Sequence, residues 1–167
     1  EINTYIFDLE PGDDYIAQTI RKVSSEYLNI SNLFEGRLFD QIASCELDIL
    51  IDCDGFQAGN RLDVISRKPA PILIKWVGGL SSSTYLDSFD YLITDKQQTP
   101  DNLKHMFTEK LIFMNNSYIT YTQPPYRLDL TAAPINNNGY PTFGSFNNAV
   151  KITEKTIETW SRILSSV

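Results

Sequence analysis

Cysteine, histidine and long apolar stretches are scarce in this sequence of 167 residues. Its two cysteines, Cys45 and Cys53, match neither a CxxC motif nor a disulfide framework, which predicts a reducing, cytoplasmic environment. We interpret Cys53, at the end of an apolar strand, as a small buried residue. No apolar run approaches the roughly 20 residues of a membrane helix, and the start shows no signal peptide, so we expect no membrane contact.

Basic residues and histidine are few as well, compared with the acidic residues. The sequence has 14 basic and 21 acidic residues, a net charge of −7, which argues against a nucleic-acid partner because phosphate backbones favour a basic face. The lone histidine, His105, falls within a predicted helix, and we expect it at the surface. Four aspartates lie at the ends of predicted strands: Asp52, Asp54, Asp90 and Asp95. No histidine or third close ligand joins them, so we expect no metal site.

Short apolar strands alternate with helices along most of the chain. Strands are predicted over Tyr5–Phe7, Leu28–Ile30, Asp48–Cys53, Ile72–Val77, Asp90–Thr94 and Leu111–Met114. Helices are predicted over Asp13–Glu26, Leu33–Ala43, Asn60–Ser66 and the segment that follows Thr99-Pro100-Asp101. This order predicts an α/β fold with a single doubly wound, mostly parallel, Rossmann-like sheet. Because parallel strands are buried on both faces, we expect five strand residues to be buried: Ile49, Ile51, Ile72, Ile74 and Leu92.

Proline, glycine and asparagine interrupt this alternation between residues 117 and 139. We therefore expect a first lobe over residues 1–116, a linker over 117–139, and a new βα unit over 140–167. The chain begins at Glu1 without a methionine and ends at Val167 just after the last predicted helix. We interpret it as a fragment of a longer protein.

The segment around Lys151 has the features of an anion site. A strand from Tyr140 to Phe146 is predicted to lead through a polar turn containing Asn148 to Lys151, with Thr153 as the N-cap of a helix. Free backbone N–H groups and the helix dipole favour a phosphate at such a place. The alternative is an ordinary turn with a solvated lysine.

Three separated blocks of this sequence resemble one family. The first spans Asp48–Asp52, Asp54-Gly55-Phe56, Gly59-Asn60-Arg61 and Pro69-Ala70-Pro71; the second comprises Trp76-Val77-Gly78 and Asp90–Asp95; the third comprises Phe143–Asn148, Lys151–Thr153 and Trp160–Leu164. In this order and spacing they resemble glycosyltransferase family 41, which contains the O-GlcNAc transferases and the SPINDLY proteins. The resemblance is good over residues 46–167 and weak over residues 1–45.

The resemblance implies roles for donor-side residues. It places Lys151 on the diphosphate of a nucleotide sugar with Asn148 beside it, and it places Val77 and Gly78 against the donor sugar. The usual family run continues Gly-Tyr-Pro-Gly-Thr-Thr/Ser-Gly, whereas this chain has Gly78-Gly79-Leu80-Ser81-Ser82-Ser83-Thr84, with one residue added. The alternative interpretation of this run is a flexible connecting loop.

The turn after the third predicted strand carries a second group of candidates. Its two glycines lead us to expect Phe56, Gln57 and Arg61 to project outward, and the resemblance places them on the acceptor side of the cleft. For Arg61 the alternative is a surface salt bridge to Asp63 or Asp54.

Taken together, the resemblance implies the N-terminal lobe of a two-lobe (GT-B) glycosyltransferase plus the first βα unit of its C-terminal lobe. Such an enzyme moves GlcNAc or a fucose-like sugar from a UDP- or GDP-linked donor to Ser or Thr of proteins, with inversion and without a metal cofactor. Tetratricopeptide (TPR) repeats are expected upstream, and the isolated fragment is expected to be inactive. The alternatives are a degenerate, non-catalytic nucleotide-sugar- or protein-binding module of the same fold, and a generic NAD or FMN domain. The NAD or FMN alternative lacks a Gly-x-Gly-x-x-Gly after the first strand.

Overall fold

The computed structural model describes residues 2–10, 12–79, 82–124 and 126–167. The chain divides into two compact units, Glu1–Tyr121 and Thr122–Val167. None of the helices in the described ranges combines the length and apolar character needed to cross a bilayer.

The first unit alternates strands and helices. Its elements are β1 (Tyr5–Asp8), α1 (Tyr15–Val23), β2 (Glu26–Asn29), α2 (Glu35–Ala43), β3 (Ile49–Asp52), α3 (Leu62–Ile65), β4 (Ile72–Lys75), β5 (Tyr91–Thr94), a 3₁₀ helix (Asp101–Met106) and β6 (Lys110–Phe113). Every strand pair is parallel, which confirms the predicted α/β class. The described strands form two sheets, β1-β2 and β3-β4-β5-β6, so the prediction of a single sheet is wrong.

Side chains of the two sheets pack into one apolar core. Phe7 of β1 and Leu28 of β2 pack against the same apolar cluster that β3 and β4 supply. The buried members of this cluster are Ile30, Leu38, Ile42, Leu50, Leu62, Val64, Ala70, Leu73 and Phe89. The core of the first unit therefore lies between one face of the four-stranded sheet and the helices α2 and α3.

The second face of that sheet departs from our expectation. Ile74 and Leu92 are buried as predicted, but Ile49 and Ile51 are 49% and 44% exposed, so their predicted burial is wrong. Successive side chains of a strand point to opposite faces, and Leu50 occupies the face that the helices cover. Cys53 continues the alternation beyond β3 and is exposed, which corrects its predicted burial as well.

The second unit contains two α-helices and a short 3₁₀ helix. The predicted linker contains an unpredicted helix, α4 (Ile135–Asn138), which ends at Gly139 with a left-handed φ of 74°. A 3₁₀ helix (Ala149–Lys151) precedes α5 (Glu154–Leu164). The strand predicted from Tyr140 to Phe146 is wrong: these residues are not in a strand, and the described residues of the second unit contain no strand that could pair with them in a hydrogen-bonded ladder.

Candidate functional site

The carboxyl ends of β3, β4 and β5 lie at one edge of the parallel sheet. Ligands of open α/β sheets bind outside this edge, where loops follow the strands. The turn after β3 contains the candidates Phe56 and Gln57, and the loop after β4 contains Val77 and Gly78. The sequence-predicted candidates of the first unit therefore belong to two neighbouring loops of this edge.

Two glycines bring those loops into backbone contact. A Cβ atom on Gly55 would lie 2.3 Å from the carbonyl oxygen of Gly78, and one on Gly78 would lie 2.5 Å from the carbonyl carbon of Asp54. Both glycines also have left-handed φ values, 57° for Gly55 and 63° for Gly78. Glycine is required at both positions, because any side chain meets backbone atoms that cannot move aside.

The loop after β4 begins with a strained residue. Val77 has a φ of 55°, a region that a β-branched residue rarely adopts, and it is followed by two glycines that are also left-handed. Non-glycine residues in this region persist where the surroundings hold them, and they concentrate at functional sites. Tyr85, eight positions further on, has a φ of 54° and is the second left-handed residue of this loop that is not a glycine.

Buried carboxylates organise the backbone of this edge. Asp52 is 4% exposed and accepts hydrogen bonds from the backbone N–H groups of Asp54 (3.1 Å) and Gly55 (3.0 Å). Burial raises the pKa of the Asp54 carboxyl, and the neighbouring Asp52 carboxylate raises it further. Asp95, at the end of β5, accepts from the N–H groups of Gln97, Gln98 and Tyr118 at 2.8 to 3.0 Å.

Two buried charged residues that were not predicted from the sequence contact the loop after β4: Lys75, the last residue of β4, and Glu109, the residue before β6. The Lys75 ammonium donates a 2.7 Å hydrogen bond to the carbonyl oxygen of Ser82. The Glu109 carboxylate accepts hydrogen bonds from the Ser83 hydroxyl and from both the N–H and the hydroxyl of Thr84. The sequence did contain one signal, since Lys75 is a charged residue closing the apolar run Ile72-Leu73-Ile74.

Burial affects the protonation of both residues. It lowers the pKa of Lys75, although the charges of Glu109 and Asp52 oppose this shift. Burial by itself would raise the pKa of Glu109, but the hydrogen bonds from Thr84 and Ser83 outweigh it and hold the pKa below its ordinary value. Glu109 therefore remains a carboxylate that accepts hydrogen bonds from the loop after β4.

The acceptor-side candidates separate into two groups. Phe56 is 59% exposed and Gln57 is also exposed, as predicted for side chains that project from the turn. The prediction that Arg61 projects with them is wrong: its guanidinium donates to the carbonyl oxygen of Leu33 at 2.9 Å and lies 3.6 Å from Asp63. Arg61 ties the end of this turn to the segment that precedes α2.

The remaining donor-side candidates lie in the second unit. The Asn148 side chain accepts a 3.0 Å hydrogen bond from Val150 N–H and caps the 3₁₀ helix that ends at Lys151, whose side chain is exposed. Thr153 is the N-cap of α5, as predicted, and its hydroxyl accepts from Thr156 N–H. Lys151 thus precedes the N-cap of α5 by two residues and belongs to a separate helical turn.

The residues considered as metal ligands have other partners. Asp52 and Asp95 accept backbone hydrogen bonds, and Asp90 accepts from Lys68 Nζ and Leu73 N–H, both at 2.8 Å. His105 is exposed in the 3₁₀ helix of the first unit, as expected. Across the described ranges, no group of three or more His, Cys, Asp or Glu side chains is arranged to hold a metal ion.

Comparison with known proteins identifies the family of the chain. Residues 1–123, which include both carboxyl-edge loops, match the family described as Glycosyl transferase family 41. The chain belongs to glycosyltransferase family 41. The resemblance found in the sequence blocks is therefore confirmed.

Relatives of this family 41 chain are far longer than it is. It is 36% identical over 148 residues to the protein of Solanum lycopersicum named "Probable UDP-N-acetylglucosamine–peptide N-acetylglucosaminyltransferase SPINDLY", a match that covers 89% of this chain and 16% of that protein. It is 29% identical to the UDP-N-acetylglucosamine–peptide N-acetylglucosaminyltransferase of Caenorhabditis elegans, over 71% of this chain and 10% of that protein.

A solved structure agrees with the sequence relationships. A mutant of the O-GlcNAc transferase of Thermobaculum terrenum matches 98% of this family 41 chain with a TM-score of 0.83 and 25% sequence identity. The match covers 31% of that structure. The fold is therefore that of an O-GlcNAc transferase region, with the α/β lobe predicted from sequence.

Proposed function

We propose that this chain forms the N-terminal catalytic lobe, and the start of the C-terminal donor-binding lobe, of an inverting protein O-glycosyltransferase. The observation that carries the proposal is the family match over residues 1–123, which includes both carboxyl-edge loops. The activities in the relatives' names support it, because they describe sugar transfer to peptides. The full-length protein binds a nucleotide sugar and a Ser- or Thr-containing protein, and it contacts neither nucleic acid nor membrane.

In this proposal Lys151 stabilises the departing nucleoside diphosphate. Negative charge grows on the diphosphate as its bond to the sugar breaks, and a preorganised ammonium lowers the free energy of that transition state. The Asn148 amide group supplies neutral hydrogen-bond donors beside it. Lys151 takes the place of a metal ion, so the enzyme needs no metal cofactor.

The carboxyl-edge loops contact the sugar and the acceptor in this proposal. Val77 and Gly78 present backbone atoms to the donor sugar, since glycine permits close approach to a ligand. Phe56 and Gln57 are exposed in the adjoining turn and contact the protein acceptor. Arg61 supports this turn through its hydrogen bond to Leu33.

The donor and the cellular context are further parts of the proposal. UDP-N-acetylglucosamine is the first donor to test, because the relatives' names contain it, and GDP-fucose is the second. TPR repeats preceding this region select the protein acceptors, and the enzyme acts in the cytoplasm.

One observation favours a second candidate, a non-catalytic binding module of the same fold. The run from Gly78 to Thr84 in the loop after β4 departs from the family run, with one residue added. Tyr85 has a φ of 54°, a left-handed conformation that suits glycine. The run from Gly78 to Thr84 includes Leu80 and Ser81, which lie outside the described residues.

Turnover by the full-length protein distinguishes the two candidates. We expect transfer of radiolabel from UDP-GlcNAc or GDP-fucose to a peptide mixture containing Ser and Thr. Binding of a nucleotide sugar without transfer would support the non-catalytic module instead. The 167-residue chain alone should show no transfer above its own Lys151→Ala variant, and clear turnover by the chain would mean that it contains the whole catalytic apparatus.

A further inference from the structure

We propose that Lys75 and Glu109 are positioning residues that clamp the loop after β4 in the shape that receives the donor sugar. We call residues 82–86 of this loop the clamped loop. The proposal rests on the proposed function, since it assigns the two residues to the donor side of that same site.

Glu109 holds the centre of the clamped loop from the start of β6. It is 5% exposed, and it accepts hydrogen bonds from Thr84 N–H at 2.6 Å, Thr84 Oγ1 at 2.5 Å and Ser83 Oγ at 2.8 Å. Ser83 and Thr84 are themselves 5% and 3% exposed. A carboxylate that accepts three hydrogen bonds from two adjacent residues determines both their backbone position and their rotamers.

Lys75 holds the beginning of the clamped loop from the end of β4. The side chain is 1% exposed, and its ammonium donates to the carbonyl oxygen of Ser82 at 2.7 Å. The aliphatic part of the Lys75 side chain also lies beside the contact between Gly55 and Gly78, because a Cβ on Gly55 would be 3.3 Å from Lys75 Cε. Lys75 therefore links the clamped loop to the turn that carries the acceptor-side candidates.

The loop after β4 needs such a clamp because its backbone is strained at two residues, Val77 before the clamped loop and Tyr85 within it. Val77 and Tyr85 have left-handed φ values of 55° and 54°. Each such position favours relaxation of the loop unless the surroundings hold it. The hydrogen bonds to Glu109 end at Thr84, directly before Tyr85, so they act where the second strained residue must be held.

A purely stabilising role explains these charges poorly. Taking an ammonium and a carboxylate out of water is unfavourable, and well-packed apolar residues often stabilise a fold at least as much as a buried ion pair does. Polar groups do, however, specify one geometry through directional hydrogen bonds. The loop after β4 begins at the carboxyl edge of the sheet, where ligands bind, so its geometry decides whether the donor sugar fits.

The test uses the full-length protein and compares two nearly isosteric changes at one position. Thr84→Val removes the hydroxyl that donates to Glu109, and Thr84→Ser keeps it. We expect Thr84→Val to raise the donor KM about tenfold, as loss of a buried hydrogen bond to a charged group would, while the acceptor KM stays within about twofold. Thr84→Ser should retain the donor KM of the unchanged protein.

Substitutions of Glu109 should raise the donor KM in proportion to the acceptor atoms that they remove. Glu109→Gln keeps one acceptor oxygen and should raise the donor KM less than Glu109→Ala, which removes every acceptor. The matched control is Asp90→Asn, which alters a carboxylate that accepts hydrogen bonds from Leu73 N–H and Lys68 Nζ just before β5, at the amino edge of the sheet. It should lower the melting temperature and leave the donor KM unchanged.

Three outcomes separate the proposals. A donor KM that rises for Thr84→Val and Glu109→Gln, but not for Asp90→Asn, supports the clamp. If all three variants lower only the melting temperature, the clamp is a structural element and this proposal is overturned, while the proposed function stands. If the unchanged protein neither binds nor transfers any nucleotide sugar, both proposals are overturned.

Discussion

The backbone of Gly78 lies against the backbone of Gly55 so closely that neither position has room for a side chain. The carbonyl oxygen of Gly78 would lie 2.3 Å from a Cβ on Gly55. This contact connects the turn after β3 to the loop after β4, and so connects the proposed acceptor side to the proposed donor side.

Gly78→Ala and Gly55→Ala should each lower the free energy of unfolding of the chain by about 2 kcal/mol or more. Each change combines a left-handed φ with a clash against backbone, and neither can be relieved by a side-chain rotation. Urea denaturation of the 167-residue chain measures the effect.

Two other glycines are controls for this prediction. Gly59 has a φ of 84° with no atom near its Cβ position, so Gly59→Ala should lower stability through strain alone, by about 1 kcal/mol. Gly36 lies in α2 with open space around it, and Gly36→Ala should be neutral or stabilising by up to about 1 kcal/mol. Equal effects at Gly78 and Gly36 would contradict the close contact.

Asp95 should contribute to acid sensitivity. Hydrogen bonds from the N–H groups of Gln98 and Tyr118, and from Gln97, hold the pKa of Asp95 below its ordinary value. Because the pKa is lower in the folded chain than in the unfolded chain, the stabilisation is present above about pH 4 and is lost as the pH falls through the folded value. Asp95→Asn should therefore lower stability near pH 7 and flatten its decline in acid. Denaturation curves measured from pH 7 to pH 3 test this, and parallel declines would refute it.

Lys151→Ala in the full-length protein should lower turnover by roughly 10²-fold, about 3 kcal/mol, because it removes charge stabilisation realised chiefly in the transition state. Lys151→Arg should restore turnover only in part, since a planar guanidinium does not reproduce a compact ammonium. Asn148→Ala should lower turnover less, because it deletes a neutral donor.

Thermal melting accompanies these assays as a control. Lys151 is exposed, so its variants should melt like the unchanged protein. An alanine variant with unchanged melting and nearly unchanged turnover would identify Lys151 as a solvated surface lysine.

Truncation of Phe56 should affect acceptor binding, whereas truncation of Arg61 should affect stability. Phe56→Ala removes an exposed ring and should raise the acceptor KM several-fold without changing the melting temperature. Arg61→Ala removes the hydrogen bond to the Leu33 carbonyl and should lower the free energy of unfolding by about 1 kcal/mol. Kinetics at varied peptide concentration, measured beside melting, distinguish the two effects. A destabilising Phe56→Ala would place that ring in the core.

Local patterns predicted much of this architecture. The strand cores and the intervening helices agree with the structure to within a few residues, because their apolar periodicities and caps act over short distances along the chain. The Thr153 cap is one such local feature. The strand predicted from Tyr140 failed because a strand also needs a neighbour, which no local pattern supplies.

By itself the sequence determined the α/β class, the order of the elements, and the family, since these depend on local periodicity and on residue blocks at set spacing. Tertiary structure alone decided which face of β3 is buried, so Ile51 is half exposed where its apolar character predicted burial. Tertiary structure also turned Arg61 toward Leu33 and brought Lys75 and Glu109 to one loop. These outcomes depend on contacts between residues far apart in the chain, and only packing determines which distant groups meet.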